Sequence, residues 1–143
     1  MTGAYVVRTW WRRVRSLWSP PTPDTGQRGE DLAADHLEHR GYRILARNLR
    51  RRHGEIDLIA DPPDHRAWVI VEVKCSDRSH AGFPPHVRVH RGKQVKLATL
   101  AAGLLQQRAL TGRPVRFDII SITLHDGGAP TIQHLPGAFE SPV

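Results

Sequence analysis

The stretch from Gly54 to Cys75, GEIDLIADPPDHRAWVIVEVKC, decides how this chain folds. Both of its ends are rich in β-branched residues, and Pro62, Pro63 and Asp64 in the polar break suit a turn, so the pattern predicts two neighbouring strands. Side chains alternate between the faces of a strand. Glu55, Asp57 and Ile59 therefore share one side of the first strand, and Trp68, Ile70, Glu72 and Lys74 share one side of the second. If the strands pair as a hairpin, Asp57, Glu72 and Lys74 meet on an otherwise apolar surface. An unpaired buried carboxylate is costly and two close together repel, so a bare pair would take up a proton or a cation.

A hard divalent ion resolves both problems. Two carboxylates, a backbone carbonyl and waters suit Mg²⁺, which is octahedral and reluctant to shed all its water, with Mn²⁺ as a substitute. Lys74 lies two residues beyond Glu72, roughly 6.5–7 Å along the same face, where it could hold a water and a scissile phosphate together. The competing reading is a salt-bridged strand facing solvent, the ordinary fate of an isolated Glu-x-Lys.

The order Asp57, a gap, then Glu72-Val73-Lys74 on a second strand resembles the PD-(D/E)XK nuclease motif. GEIDLIAD followed by VEVKC, with GQRGEDLAADHL before and RFDIISI after, is similar to the YraN-like family, uncharacterised protein family 0102, over about residues 26 to 124. Ile56 stands where that superfamily commonly has proline before the aspartate. The resemblance implies an α/β fold: a restriction-endonuclease-like sandwich with a mixed central sheet flanked by helices, in the order αβββαβ. It implies a nuclease that hydrolyses phosphodiester bonds in DNA, structured or branched, in repair, recombination or transformation. In that scheme Asp57, Glu72 and the carbonyl of Val73 hold Mg²⁺ and Lys74 orients a water. Glu30 becomes a further acidic group, as the corresponding residue is in archaeal Holliday-junction resolvases. A Lys or Gln of the second helix approaches the site in related nucleases, which singles out Lys93 and Gln94. A homodimer is compatible with the resemblance.

At 143 residues the chain suits one domain with a respectable core. Its net charge of +7, from 21 basic and 14 acidic residues, favours a polyanionic partner: nucleic acid or an anionic membrane surface. Cys75 is the single cysteine, which excludes an intramolecular disulfide and a cysteine-rich zinc site and fits a reducing, cytoplasmic setting. It points away from Lys74, as a small core residue would.

Residues 1–23 differ from the rest. They carry Trp10, Trp11 and Trp18 and four of the arginines, with no acid, so four of the seven net charges come from this basic extension and linker. Val7, Trp10, Trp11, Val14, Leu17 and Trp18 recur near helical spacing, as in an interfacial helix or a nucleic-acid-binding arm; an unstructured extension is the plain alternative. The stretch is too short and charged to span a membrane and lacks the apolar core of a secretory signal.

The nuclease-like domain is expected over 24–135, with a C-terminal tail over 136–143. Its first helix should start near Asp24 or Thr25 and stop at Gly41, with Glu30, Ala33, Ala34 and Leu37 in one row. Glu30 is then either an acid near the helix start, favoured by the dipole, or part of the site. YRILARN is the first strand and NLRRRHGE the turn after it, placing Arg47, Arg50, Arg51 and Arg52 where they can neutralise phosphates, or simply be solvated. The Gly-, Pro- and His-rich segment after Lys74 reads as an ordered loop. A second helix follows from about Arg91 to Arg108, with Gln94, Leu97, Ala98, Ala101 and Leu105 as its apolar side and Arg91, Lys93 and Lys96 at its basic start, suited to a phosphate. PVRFDIISITL is a further strand in which Asp118 is structural, and TIQHL can add an edge strand. Three functions remain open: a nuclease, a non-catalytic nucleic-acid-binding module of the same fold, and a membrane-surface adaptor acting through residues 1–23.

Overall fold

The computed structural model describes residues 25–52, 54–76, 89–107, 110 and 112–142. The basic extension, His53 and most of the loop after Lys74 lie outside the described residues. Seven elements follow one another within them: α1 (Thr25–His39), β1 (Arg43–Arg51), β2 (Gly54–Asp61), β3 (Trp68–Ser76), α2 (Arg91–Gln106), β4 (Val115–Thr123) and β5 (Thr131–Phe139). The strands form one sheet in chain order, β1 to β5. β3 and β4 run parallel and the other neighbours antiparallel, so the sheet is mixed, and α2 provides the crossover that a parallel pair requires.

One helix covers each face. Ala33, Ala34 and Leu37 of α1 are fully buried against Leu58, Ala60, Val69, Val71, Ile120 and Ile122. Leu97, Ala98, Ala101 and Leu104 of α2 cover the opposite face with Ile59, Trp68, Ile70, Phe117 and Ile119. The alternation along β2, β3 and β4 thus sorts their apolar residues into two cores. α1 ends as its sequence predicts: Gly41 has φ of 85°, its N–H donates to Glu38 O and the Tyr42 N–H to Leu37 O, both at 3.0 Å, the paired bonds of a Schellman cap.

Three expectations are corrected. The apolar side of α2 closes with Leu104, 3 % exposed, while Leu105 is 36 % exposed. Leu104 stands seven residues after Leu97 and keeps to the buried stripe, whereas the eighth position has rolled toward solvent. Arg50 and Arg51 are strand residues, paired with Glu55 and Gly54, because long exposed side chains at a hairpin end leave the backbone ladder free to continue. The edge strand is longer than TIQHL and passes residue 135 to reach Phe139, whose ring stacks on Phe117 with centroids 4.8 Å apart. The order is therefore αβββαββ.

Asp118 is structural, as expected. It is buried, receives both Arg116 Nε and Nη2 and the Gly137 N–H, and lies 2.8 Å from His134 Nε2, tying β5 to β4. No helix among the described residues is long and apolar enough to cross a membrane.

Candidate functional site

The β2–β3 ladder ends at the pair Leu58 and Val71. The next residues on the two strands are Asp57 and Glu72, 7 % and 3 % exposed. Where the ladder stops, Asp57 takes over the role of a backbone acceptor: its Oδ2 receives the Val73 N–H at 2.8 Å. Glu72 Oε1 lies 2.7 Å from Lys93 Nζ and 3.6 Å from Lys74 Nζ. Among the described residues, Glu72 Oε2 is buried with no hydrogen-bond partner.

This arrangement has an electrostatic signature. Burial, then repulsion from Glu72, raises the Asp57 pKa from 3.8 to about 8; Glu30 pushes the same way, and the Val73 N–H and Lys93 oppose it. Burial beside Glu72 thus favours the protonated form of Asp57 when nothing else neutralises the pair. Burial disfavours the charge on Lys93, but its hydrogen bond and attraction to Glu72 outweigh that and raise its pKa above the ordinary lysine value.

Three elements deliver these groups. β2 and β3 bring the carboxylates and Lys74, and the first turn of α2 brings Lys93. α1 lies close over β3 because Gly29 has no side chain: a β-carbon there would stand 2.5 Å from Cys75 Cβ and 2.9 Å from its Sγ. That approach brings Glu30 near enough to act on Asp57. Cys75 is thus a packing residue on the face away from Lys74, as its strand position predicts.

The residues present fit a hard divalent ion. Among the described residues Glu72 Oε2 is an orphaned buried acceptor, and burial and Glu72 both disfavour a bare charge on Asp57. Among the described residues no group of three or more His, Cys, Asp or Glu side chains could hold a metal. Two carboxylates suit Mg²⁺, which completes its shell with carbonyl and water oxygens.

Comparison with known proteins places the sequence that builds this site in a family. The model of the uncharacterised protein family UPF0102 matches residues 29–122, from Gly29 through β4. The chain belongs to UPF0102. A UPF0102 protein of Pelobacter propionicus is 43 % identical over 122 residues, covering 85 % of this chain and 86 % of its own. Another from Persephonella marina is 42 % identical over 115 residues, 80 % of this chain and 92 % of its own. One from Mycobacterium sp. (strain KMS) is 37 % identical over 131 residues, 92 % and 96 % of the two chains. The UPF0102 match spans all the carboxylates and lysines of the site.

The other residues singled out by sequence are distributed around it. Arg50 Nε lies 3.7 Å from Glu55 Oε2, Arg51 Nη2 donates to Gln107 Oε1 at 3.5 Å, and Arg52 and Arg91 are exposed. Gly54 sits against Leu100 and Lys96, so the hairpin end and α2 form one basic border. Gln94 Nε2 donates to Val89 O at 2.8 Å, at the start of α2. Arg47 pairs with Asp31 on α1. Sequence reading missed Gly29, whose signal was a glycine inside a helix, and Asn48, whose signal was an asparagine inside a strand.

Proposed function

We propose that this chain is a Mg²⁺-dependent nuclease of the PD-(D/E)XK type, acting on DNA. The observation that carries the reading is the buried Asp57–Glu72 pair, in which burial and the neighbouring Glu72 raise the Asp57 pKa and Glu72 Oε2 has no hydrogen-bond partner among the described residues. The αβββαβ core, extended by β5, with a mixed sheet between two helices supports a restriction-endonuclease-like fold. Asp57, Glu72 and the carbonyl of Val73 would hold the ion, and when bound it supplies Lewis-acid polarisation of a phosphoryl oxygen.

The chain's own residues divide the remaining work. Lys74 holds and orients the attacking water by its ammonium. Lys93, drawn onto Glu72 at 2.7 Å, is placed to receive charge that builds on the phosphate. Glu30 contributes negative charge beside Asp57 and a further acceptor for ion-bound solvent. Arg50, Arg51, Arg52 and Arg91 border the site and neutralise the phosphate backbone without reading sequence. A cytoplasmic location and a role in repair or recombination of structured DNA accompany this reading.

Purified protein incubated with single-stranded, duplex, flap and four-way DNAs, in Mg²⁺, Mn²⁺ or EDTA, tests the proposal. Cleavage of at least one substrate that stops in EDTA supports it. Binding without cleavage in any metal would favour a non-catalytic nucleic-acid module instead.

A further inference from the structure

Regular strands present alternate side chains to opposite faces, so residues three apart on one strand face opposite ways. β1 and β2 break this rule together. Ala46 and Leu49 both lie in the core beneath α2, and so do their cross-strand partners Ile59 and Ile56. Leu58, between the two partners, joins the opposite core beneath α1. The ladder passes from Arg47 opposite Leu58 to Leu49 opposite Ile56, and the step it skips is Asn48 opposite Asp57.

Asn48 is buried and has φ of 49°, in the left-handed region that L-residues other than Asn and Asp seldom enter. The change of phase therefore falls on a left-handed residue in β1 and on Asp57, opposite it, in β2. Its consequence is visible across the ladder. A strand side chain ordinarily stands perpendicular to the sheet, where it cannot receive a neighbouring strand's backbone N–H. The Asp57 carboxylate does receive one, from Val73 at 2.8 Å, and so leans toward β3 beside Glu72.

We propose that Asn48 is a positioning residue for the acidic site: its left-handed backbone rotates the β1–β2 pair so that the Asp57 carboxylate reaches Val73 and lies beside Glu72. The ion-binding consequence rests on the metal-site reading above; the geometric claim stands without it. What position 48 requires is backbone freedom, which glycine supplies and alanine does not. Strained residues of this kind gather at functional sites, where the surrounding fold holds them.

The test uses the full chain, ¹⁵N-labelled, with two readouts: exchange of the Val73 amide proton, and calorimetric titration with Mg²⁺. In Asn48→Gly, Val73 protection and Mg²⁺ affinity should stay within about twofold of the unmodified chain. In Asn48→Ala, Val73 exchange should rise and Mg²⁺ affinity fall, each by at least about tenfold, while the Ile70 amide in the middle of the sheet keeps its protection. If Asn48→Ala does not fold, Asn48→Ser, which shares alanine's aversion to positive φ, takes its place. Retained Val73 protection in the alanine or serine chain, or its loss in the glycine chain, overturns the proposal. An unmodified chain that binds no Mg²⁺ overturns the metal reading, and the Val73 readout still decides the role of Asn48.

Discussion

Asp57 reaches sideways to Val73: a carboxylate oxygen of β2 accepts a backbone N–H of β3 at 2.8 Å, one step beyond the last paired residues of the two strands. The bond holds a carboxylate in an apolar setting next to a second one, so most of the chemistry proposed here depends on it. The same proximity makes the metal-free protein sensitive to pH.

That sensitivity has a defined sign. The folded-state pKa of Asp57 is raised from 3.8 to about 8 by burial and by Glu72. Its contribution to stability is complete below its unfolded value and is lost as pH rises through the folded value, because the fold must then ionise a carboxyl beside Glu72. Metal-free protein should therefore melt at progressively lower temperature from about pH 5 to about pH 8. Asp57→Asn should flatten that decline and match or exceed the unmodified melting temperature at about pH 8. A decline of equal size in Asp57→Asn would place the titration on another group.

Gly29→Ala probes the contact of α1 with β3. The added methyl meets Cys75 Cβ at 2.5 Å, where one atom is that of a partly buried side chain and the other belongs to a helix seated on the sheet. The substitution should destabilise the fold by about 1–3 kcal/mol through overpacking. Gly29→Ala with Cys75→Gly should recover part of that loss. Denaturant unfolding of the single and double variants measures it, and an unchanged midpoint in Gly29→Ala would show that α1 can lift without cost.

Much of this site was legible in the sequence, for a physical reason. Strand alternation puts Glu72 and Lys74 on one face of β3, and the helical period gives Ala33, Ala34 and Leu37, whereas Asp57 sits where β2 departs from that alternation. Lys93 was marked by resemblance, and its 2.7 Å contact with Glu72 brings it into the site. Gln94, marked on the same ground, bonds Val89 instead, because an amide beside the helix start can satisfy a local carbonyl. Asn48 and Gly29 were not legible. Their roles arise from a left-handed backbone and a close approach between elements, and neither leaves a periodic trace. The sequence pattern puts Arg50 and Arg51 in a turn, whereas the exposed ends of paired strands tolerate charge equally well.

Lys74 and Lys93 should separate by experiment. Lys74→Ala should keep structured-DNA affinity, measured in Ca²⁺, within about tenfold, roughly 1.4 kcal/mol, and slow single-turnover cleavage in Mg²⁺ by at least about a hundredfold. Lys74→Arg should rescue little, since a guanidinium is larger, planar and does not surrender its proton. Lys93→Ala removes the nearer partner of a buried carboxylate and should lower metal-free stability by about 1–3 kcal/mol. The lower half of that range is expected because the Lys93 side chain is 38 % exposed. Saturating Mg²⁺ should restore most of the loss in a thermal melt. Cleavage by Lys74→Ala at the unmodified rate would remove Lys74 from the chemistry.

The basic border makes a different prediction. Replacing Arg50, Arg51 and Arg52 with Ala should weaken DNA binding alike across sequences and reduce the slope of log affinity against log salt, by up to about three contacts' worth. Fluorescence anisotropy over a salt series reads both. An unchanged slope would show these arginines to be merely solvated, with Arg50 and Arg51 serving Glu55 and Gln107.

The most direct measurement is calorimetric titration of the unmodified chain with Mg²⁺ at about pH 7, repeated in buffers of different ionisation enthalpy. An ion held by Asp57 and Glu72 must displace the Asp57 proton, so about one proton should leave per ion bound, falling toward none well above about pH 8. Asp57→Asn should bind more weakly and release no proton. Absence of Mg²⁺ binding, or proton release that persists unchanged in Asp57→Asn, would contradict the assignment of the buried carboxylate pair as the metal site.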